Sequence, residues 1–222
     1  MGIYKYDIYK SPNLGLFARV NNNTLVLPFG FAETKMTKLR SYLEVENVIF
    51  TSIGGTRLIG AMAVMNNKGI LLSSYSSDDE VEAMRRSSGL NVERLSSRFT
   101  AVGNLVSAND KGALVSPIFE GKVDKQIQDV LGVPVICATV AGYYQIGSMI
   151  VATDTGAAVH PKASEEELQI IEETLKVETE PVTVNGGMPF LSSGLVANSK
   201  SVIVGSLTSG PELIMISRAF KV

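Results

Sequence analysis

At 222 residues and 45% hydrophobic, the chain fits one large domain or two small ones with a substantial core. Its net charge is −2, from 12 Lys/Arg against 9 Asp/Glu in residues 1–100 and 8 against 13 in residues 101–222, which excludes a dedicated, strongly basic nucleic-acid binder. No apolar run reaches membrane-spanning length, "MGIYKYDIYKSPN" lacks the regions of a secretory signal, and a single cysteine, Cys137, excludes internal disulfides, so a cytoplasmic protein is expected.

In chain order, "GIYKYDIYKS" alternates like a strand. From Gly15 onward a pattern then recurs. With Gly15, Gly60, Gly103, Gly147 and Ser192 as equivalent origins, the spacings are 45, 43, 44 and 45 residues. Twelve residues after each origin stand Leu27, Leu72, Val115, Val159 and Val204. At 24 stand Leu39, Met84, Ile127, Ile171 and Ile216, and at 30 stand Val45, Leu90, Val133, Val177 and Val222. Each origin leads into an apolar, strand-like run such as "NLVSA". A turn follows ("NNNT", "NNKG", "NDKG", "TDTG", "NSKS"), whose residues tolerate positive φ and so signal a hairpin. A second apolar run comes next ("LVLP", "ILLS", "ALVS", "AAVH", "VIVG"), and then a helix.

Ser77, Ser164 and Ser209 precede Glu80, Glu167 and Glu212 by three residues, the spacing of a capping box. Units one and three have Ala32 and Glu120 in place of that serine. "VIFTSI", "VERLSS", "PVICAT" and "EPVTVN" predict a closing strand in the first four units. The fifth stops before its own, so the N-terminal strand is expected to complete it and close the ring without open-ended caps. The predicted fold is α/β: a closed five-bladed propeller of pseudo-fivefold ββαβ repeats. It is one domain, with repeats at about 12–56, 57–100, 101–144, 145–189 and 190–222 plus 1–11.

Five such units resemble the pentein fold. The wording of "TSIGGTRLIGAM", "AVGNLVSANDKGALVSP", "IGSMIVATDTGAAVHPKAS" and "SRAFKV" is similar to that of archaeal members of the translation initiation factor six family. The resemblance covers the whole chain. It implies a non-enzymatic ribosome anti-association factor that binds the intersubunit face of the large subunit, excludes the small subunit and takes part in large-subunit biogenesis. Contacts would go chiefly to ribosomal protein L14, with L24 and the sarcin–ricin loop nearby. Eukaryotic members carry a phosphorylated tail; with Val222 as the last residue, that regulation is expected to be absent.

Some pentein relatives are enzymes that modify guanidino groups with a Cys nucleophile and a His base. Cys137 and His160 are the candidates for that alternative. They fall in different units, and Cys137, within "VPVICATV", reads as a buried core cysteine, with His160 at a strand end. No His, Cys or carboxylate group has metal-ligand spacing, and Glu165–Glu167 reads as a helix start, so neither metal nor cofactor is expected. For partner binding, Arg57 stands where the other units have Pro12, Thr100, Tyr144 and Pro189. Asn104 stands where they have Leu16, Ala61, Ser148 and Ser193. In the family, the positions matching Arg57 and Asn104 are linked to the ribosome-binding surface. Ile59, Gly60 and Ala61 are read as a small apolar patch beside them, and Tyr143 and Tyr144 as further contacts. A monomer is expected.

Overall fold

The computed structural model describes residues 2–222. β1 (Gly2–Lys5) precedes the first unit, which comprises β2 (Arg19–Val20), β3 (Thr24–Pro28), α1 (Glu33–Leu43) and β4 (Asn47–Thr51). The second comprises α2 (Ile59–Met62), β5 (Ala63–Met65), β6 (Gly69–Leu72), α3 (Asp78–Ser88) and β7 (Asn91–Arg94). The third has α4 (Val102–Leu105), β8 (Val106–Ala108), β9 (Ala113–Val115), α5 (Asp124–Leu131) and β10 (Val135–Cys137). The fourth has α6 (Ile146–Met149), β11 (Ile150–Ala152), β12 (Ala157–Val159), α7 (Glu165–Leu175) and β13 (Thr179–Pro181). The fifth has α8 (Leu191–Gly194), β14 (Leu195–Ala197), β15 (Ser201–Val204) and α9 (Gly210–Phe220).

These strands form five three-stranded sheets. In each, the first hairpin strand runs antiparallel to the second across a tight turn, and in the first four the second runs parallel to the third across a helix, the crossover that parallel pairing needs. The middle strands are buried on both faces, so β3, β6, β9, β12 and β15 read as continuous apolar runs rather than alternating ones. The fifth sheet takes its third strand from the other end of the chain: Gly2–Lys5 lies parallel to Ser201–Val204. Each of the five long helices, α1, α3, α5, α7 and α9, is wedged between its own sheet and the preceding one. In this way α5 joins Leu71 of β6 to Val115 of β9 in a single apolar cluster.

The repeat positions are structural. All residues 12 and 24 places after an origin are buried at 1% exposure or less. Around the axis the origins touch in sequence. A side chain on Gly60 would overlap the Gly15 carbonyl, one on Gly103 that of Gly60, one on Gly147 that of Gly103, and one on Gly15 that of Ser192. Glycine here answers to close approach, not to backbone freedom.

At the opposite end a second ring is polar. Asn21, Asn66, Asn109 and Asn198 are buried, and each side-chain oxygen accepts the two backbone N–H groups that close its own turn. Each Nδ2 reaches into the next unit: Asn66 to the carbonyls of Asn109 and Leu131, Asn109 to those of Thr153 and Leu175, Asn198 to those of Asn21 and Leu43. The last pair joins unit five to unit one. One residue further, Asn67 N–H donates to Asp110, Asp110 N–H to Asp154, Asp154 N–H to Ser199 and Ser199 N–H to Asn22, which itself donates to Asn67.

Two expectations are corrected. The apolar run after each origin does not begin as strand: α2, α4, α6 and α8 are four-residue helical turns, and Leu14–Leu16 forms a 3-10 turn in unit one. The turns also lack positive φ. Side chains, not left-handed backbone, close them: an Asn in four units, as an Asx turn does, and the Thr153 hydroxyl in unit four.

Candidate functional site

Strand direction places two sets of loops at one end of the molecule, the end of the origin glycines. These are the loops that precede each origin and the loops that join each second strand to its helix. Among the described residues, nine of the thirteen exposed large apolar side chains lie in those loops: Tyr9, Phe29, Leu58, Tyr75, Tyr143, Tyr144, Met188, Phe190 and Leu207. The loops are held shut by short bridges (Ile8 with Ser11, Ile53 with Thr56, Val140 with Tyr143, Val184 with Met188) and by carboxylates from the following helix. Glu212 accepts from Thr183 Oγ1, Gly187 N–H, Gly186 N–H and Ser209 at 2.7–3.0 Å. Burial pushes its carboxyl up, but these donors outweigh burial and hold it at about 2. Glu80 is held low in the same way, burial being opposed by Ser52, Ser77, Gly55 and Gly54. Both therefore stay ionised as fixed parts of the rim. Glu167, between them in the chain, caps α7 and accepts from Ala141 N–H at 3.0 Å.

Arg57 is exposed, and its guanidinium lies 5.7 Å from the ring centre of Tyr9, which packs edge-on against Phe17 and Phe31. Cation and aromatic thus form one surface element across units one and two. Asn104 lies in α4, not at the start of a strand, is partly exposed, and its side-chain amide makes no hydrogen bond among the described residues. Tyr143 contacts His160 (5.7 Å between ring centres) and Phe190 (6.2 Å), while Tyr144 is 54% exposed. Ile59 is fully buried and Gly60 is sealed against Gly15, so neither presents a side chain to a partner; of that patch, Ala61 alone is partly exposed. The sequence reading passed over Tyr9, Leu58, Met188 and Phe190. Their place in the loops before the origins is the signal that finds them.

It also passed over Arg19. Four places after its origin, where the other units have Val64, Ser107, Val151 and Val196, Arg19 reaches into units two and three. Nε donates to the carbonyls of Gly60 and Ala63, and Nη2 to those of Gly60 and Gly103, at 2.6–3.0 Å. Burial pushes its pKa down to about 10, so it remains charged at neutral pH and ties three units together.

Cys137 corrects the sequence reading: it is exposed on the outer strand β10, beside Ile136 and across from Ile170. A three-residue edge strand has only one neighbour, so an apolar run there does not guarantee burial. Although the residue is exposed, partial desolvation of its sulfur and, after it, the Asp124 charge push the thiol up, the reverse of what a nucleophile needs. His160, just past β12 in the next unit, is 3% exposed, and its Nδ1 accepts from Lys162 N–H. The structure does not bring the two together. Among the described residues no group of three or more His, Cys, Asp or Glu is placed to hold a metal, and no helix is long and apolar enough to cross a membrane.

The model of the eIF-6 family matches residues 3–219. The chain is 46% identical over 220 residues to translation initiation factor 6 of Cenarchaeum symbiosum and 48% identical over 220 residues to that of Nitrosopumilus maritimus, covering 99% of each chain in both cases. It is 39% identical to translation initiation factor 6 of Pyrococcus abyssi over 224 residues, covering 99% of this chain and 98% of the relative. With an aromatic rim on one end of a fivefold frame and a match along nearly all its length, the chain belongs to the eIF-6 family.

Proposed function

We propose that the protein is a ribosome anti-association factor. It binds the intersubunit face of the large ribosomal subunit, prevents the small subunit from joining by occupying its place, and takes part in large-subunit biogenesis. The reading includes a single-domain, monomeric, closed five-bladed propeller of the pentein type, with repeats at about 12–56, 57–100, 101–144, 145–189 and 190–222 plus 1–11. It acts in the cytoplasm and performs no chemistry.

The observation that carries the reading is the grouping of Arg57–Tyr9 and Tyr143–Phe190 on one end of a chain whose relatives are translation factors. Aromatic and arginine anchors in an apolar patch are the usual composition of a protein-binding centre. A net charge of −2 favours a protein epitope, so ribosomal protein L14 is the proposed main contact, with L24 and the sarcin–ricin loop of large-subunit RNA at the edges. Arg57, Asn104, Ala61, Tyr143 and Tyr144 are assigned to the contact surface. Sedimentation through a density gradient tests this. The wild-type protein should migrate with large subunits and keep them from small ones, while Arg57→Asp and Asn104→Asp should bind at least about tenfold more weakly with thermal stability nearly unchanged. Wild-type co-migration by both variants would overturn the placement of the face, and no co-migration by the wild type would overturn the function.

A further inference from the structure

The rim is not uniform. At three junctions the helix of the later unit sends a glutamate, 20 residues past its origin, onto the preceding loop. Glu80 binds the N–H groups of Gly54 and Gly55, Glu167 that of Ala141, and Glu212 those of Gly186 and Gly187. At the junction of units two and three the same register position is Val123, and the loop is Ser96–Ser97–Arg98–Phe99. Ser97 and Arg98, the equivalents of Gly54 and Gly55, have no positive φ, and no bridge closes the loop. Ser97 N–H turns back to Leu95, and neither the Arg98 N–H nor its guanidinium hydrogen-bonds to protein among the described residues.

Where a carboxylate sits elsewhere, a cavity of about 500 Å³ opens here, bounded by Arg98, Phe99, Phe119, Glu120, Lys122 and Val123. The Arg98 guanidinium lies 4.9 Å from the Phe99 ring centre, and Lys122 pairs with Glu120, both being well exposed. Two cations therefore face one carboxylate, leaving the cavity one positive charge in excess.

We infer that this cavity takes an acidic side chain of a partner protein, whose carboxylate occupies between Arg98 and Lys122 the role that Glu80, Glu167 and Glu212 fill at the sister junctions. The chemical precedent is internal: three of the five junctions of this rim are completed by a carboxylate on loop N–H groups. Arg98 offers a planar fork suited to a carboxylate, and displacing the exposed Lys122–Glu120 pair is cheap, because exposed pairs contribute little. The inference rests on the reading of this end as a binding face only for who the partner is; the pocket is testable without ribosomes.

The test is a titration of the isotope-labelled full-length protein, followed by backbone amide NMR, with three probes: an acetylated and amidated tetraglutamate peptide, a tetrauridylate RNA and inorganic phosphate. The peptide should produce saturable shifts at Arg98, Phe99 and Lys122. Arg98→Ala should weaken it about tenfold, as expected for loss of one charge-assisted hydrogen bond. Val123→Glu, which restores the residue of the sister junctions, should abolish binding by filling the cavity from within. If that variant fails to fold, Arg98→Ala and Lys122→Ala decide alone. No saturable shift with the peptide, or binding unaffected by both alanine variants, overturns the inference. Tighter binding of the RNA or the phosphate at the same amides overturns the assignment to a protein carboxylate. Failure of the sedimentation test would leave this result untouched, and the reverse also holds.

Discussion

The junction of units four and five and the junction of units two and three face the same task at the same end of the molecule. In the first, Glu212 gathers donors from Thr183, Gly186, Gly187 and Ser209, and the loop is closed by the bridge from Val184 to Met188. In the second, Val123 turns into the apolar cluster, α5 is eight residues long instead of eleven, and the loop is held at its start, by Gln126 on Ser96 N–H and the Arg94 carbonyl, with a cavity beside the rest. At the other end four of the five junctions agree, with Asn66 spanning units two and three as Asn198 spans units five and one; in unit four Thr153 takes the asparagine's place and Thr155 Oγ1 donates to the Phe220 carbonyl instead. The frame is therefore held by the buried amide ring, and the rim is free to differ from one junction to the next.

The sharpest way to break this comparison is Asn66→Ala. It removes both turn-closing bonds and leaves the carbonyls of Asn109 and Leu131 without their donor, so urea unfolding should show a loss of about 3 kcal/mol. A loss below about 1 kcal/mol would place the strength of that junction elsewhere. Glu212→Gln should cost about 2 kcal/mol at neutral pH, because an amide cannot accept from every donor the carboxylate serves. Arg98→Ala, at the open junction, should lie within about 0.5 kcal/mol of wild type, since no protein acceptor loses a bond. A large destabilisation there would show that the cavity is part of the frame.

The same contrast predicts a pH dependence. Glu212 sits near 2 when folded against an ordinary 4.5, and Glu80 is likewise lowered. A depressed carboxyl contributes stability that is fully present above the unfolded value and disappears as pH falls through the folded one. Stability should therefore decline from about pH 5 towards pH 2, and the gap between wild type and Glu212→Gln should close over that range. Parallel curves for the two proteins would remove Glu212 from the explanation.

Much of the frame was legible in the chain. Apolar positions repeating 12 and 24 residues after each origin require a common core site, and a helix with no strand after it requires a strand from elsewhere, which β1 supplies. The capping boxes at Ser77, Ser164 and Ser209 were visible because they are local. The candidate face was legible only in part. Arg57 and Asn104 stood out as residues the repeat does not demand, but Ile59 has the same chemistry whether it faces solvent or core, and its neighbours in space put it in the core. Cys137 failed for the mirror reason: an apolar run in an outer strand has no second layer over it.

Sequence alone thus determined what is periodic or local: the number of units, the order of their strands and long helices, three helix starts and the strand that completes the fifth sheet. Period and capping are written in spacings of a few residues. The tertiary structure decided which glycines touch, that Arg19 binds three units, that Tyr9 lies beneath Arg57, and that a cavity stands at one junction where three others are sealed by a glutamate. Those features join residues about 20 to 180 apart in the chain. Their contacts depend on how neighbouring units pack against one another, and no single repeat carries that information.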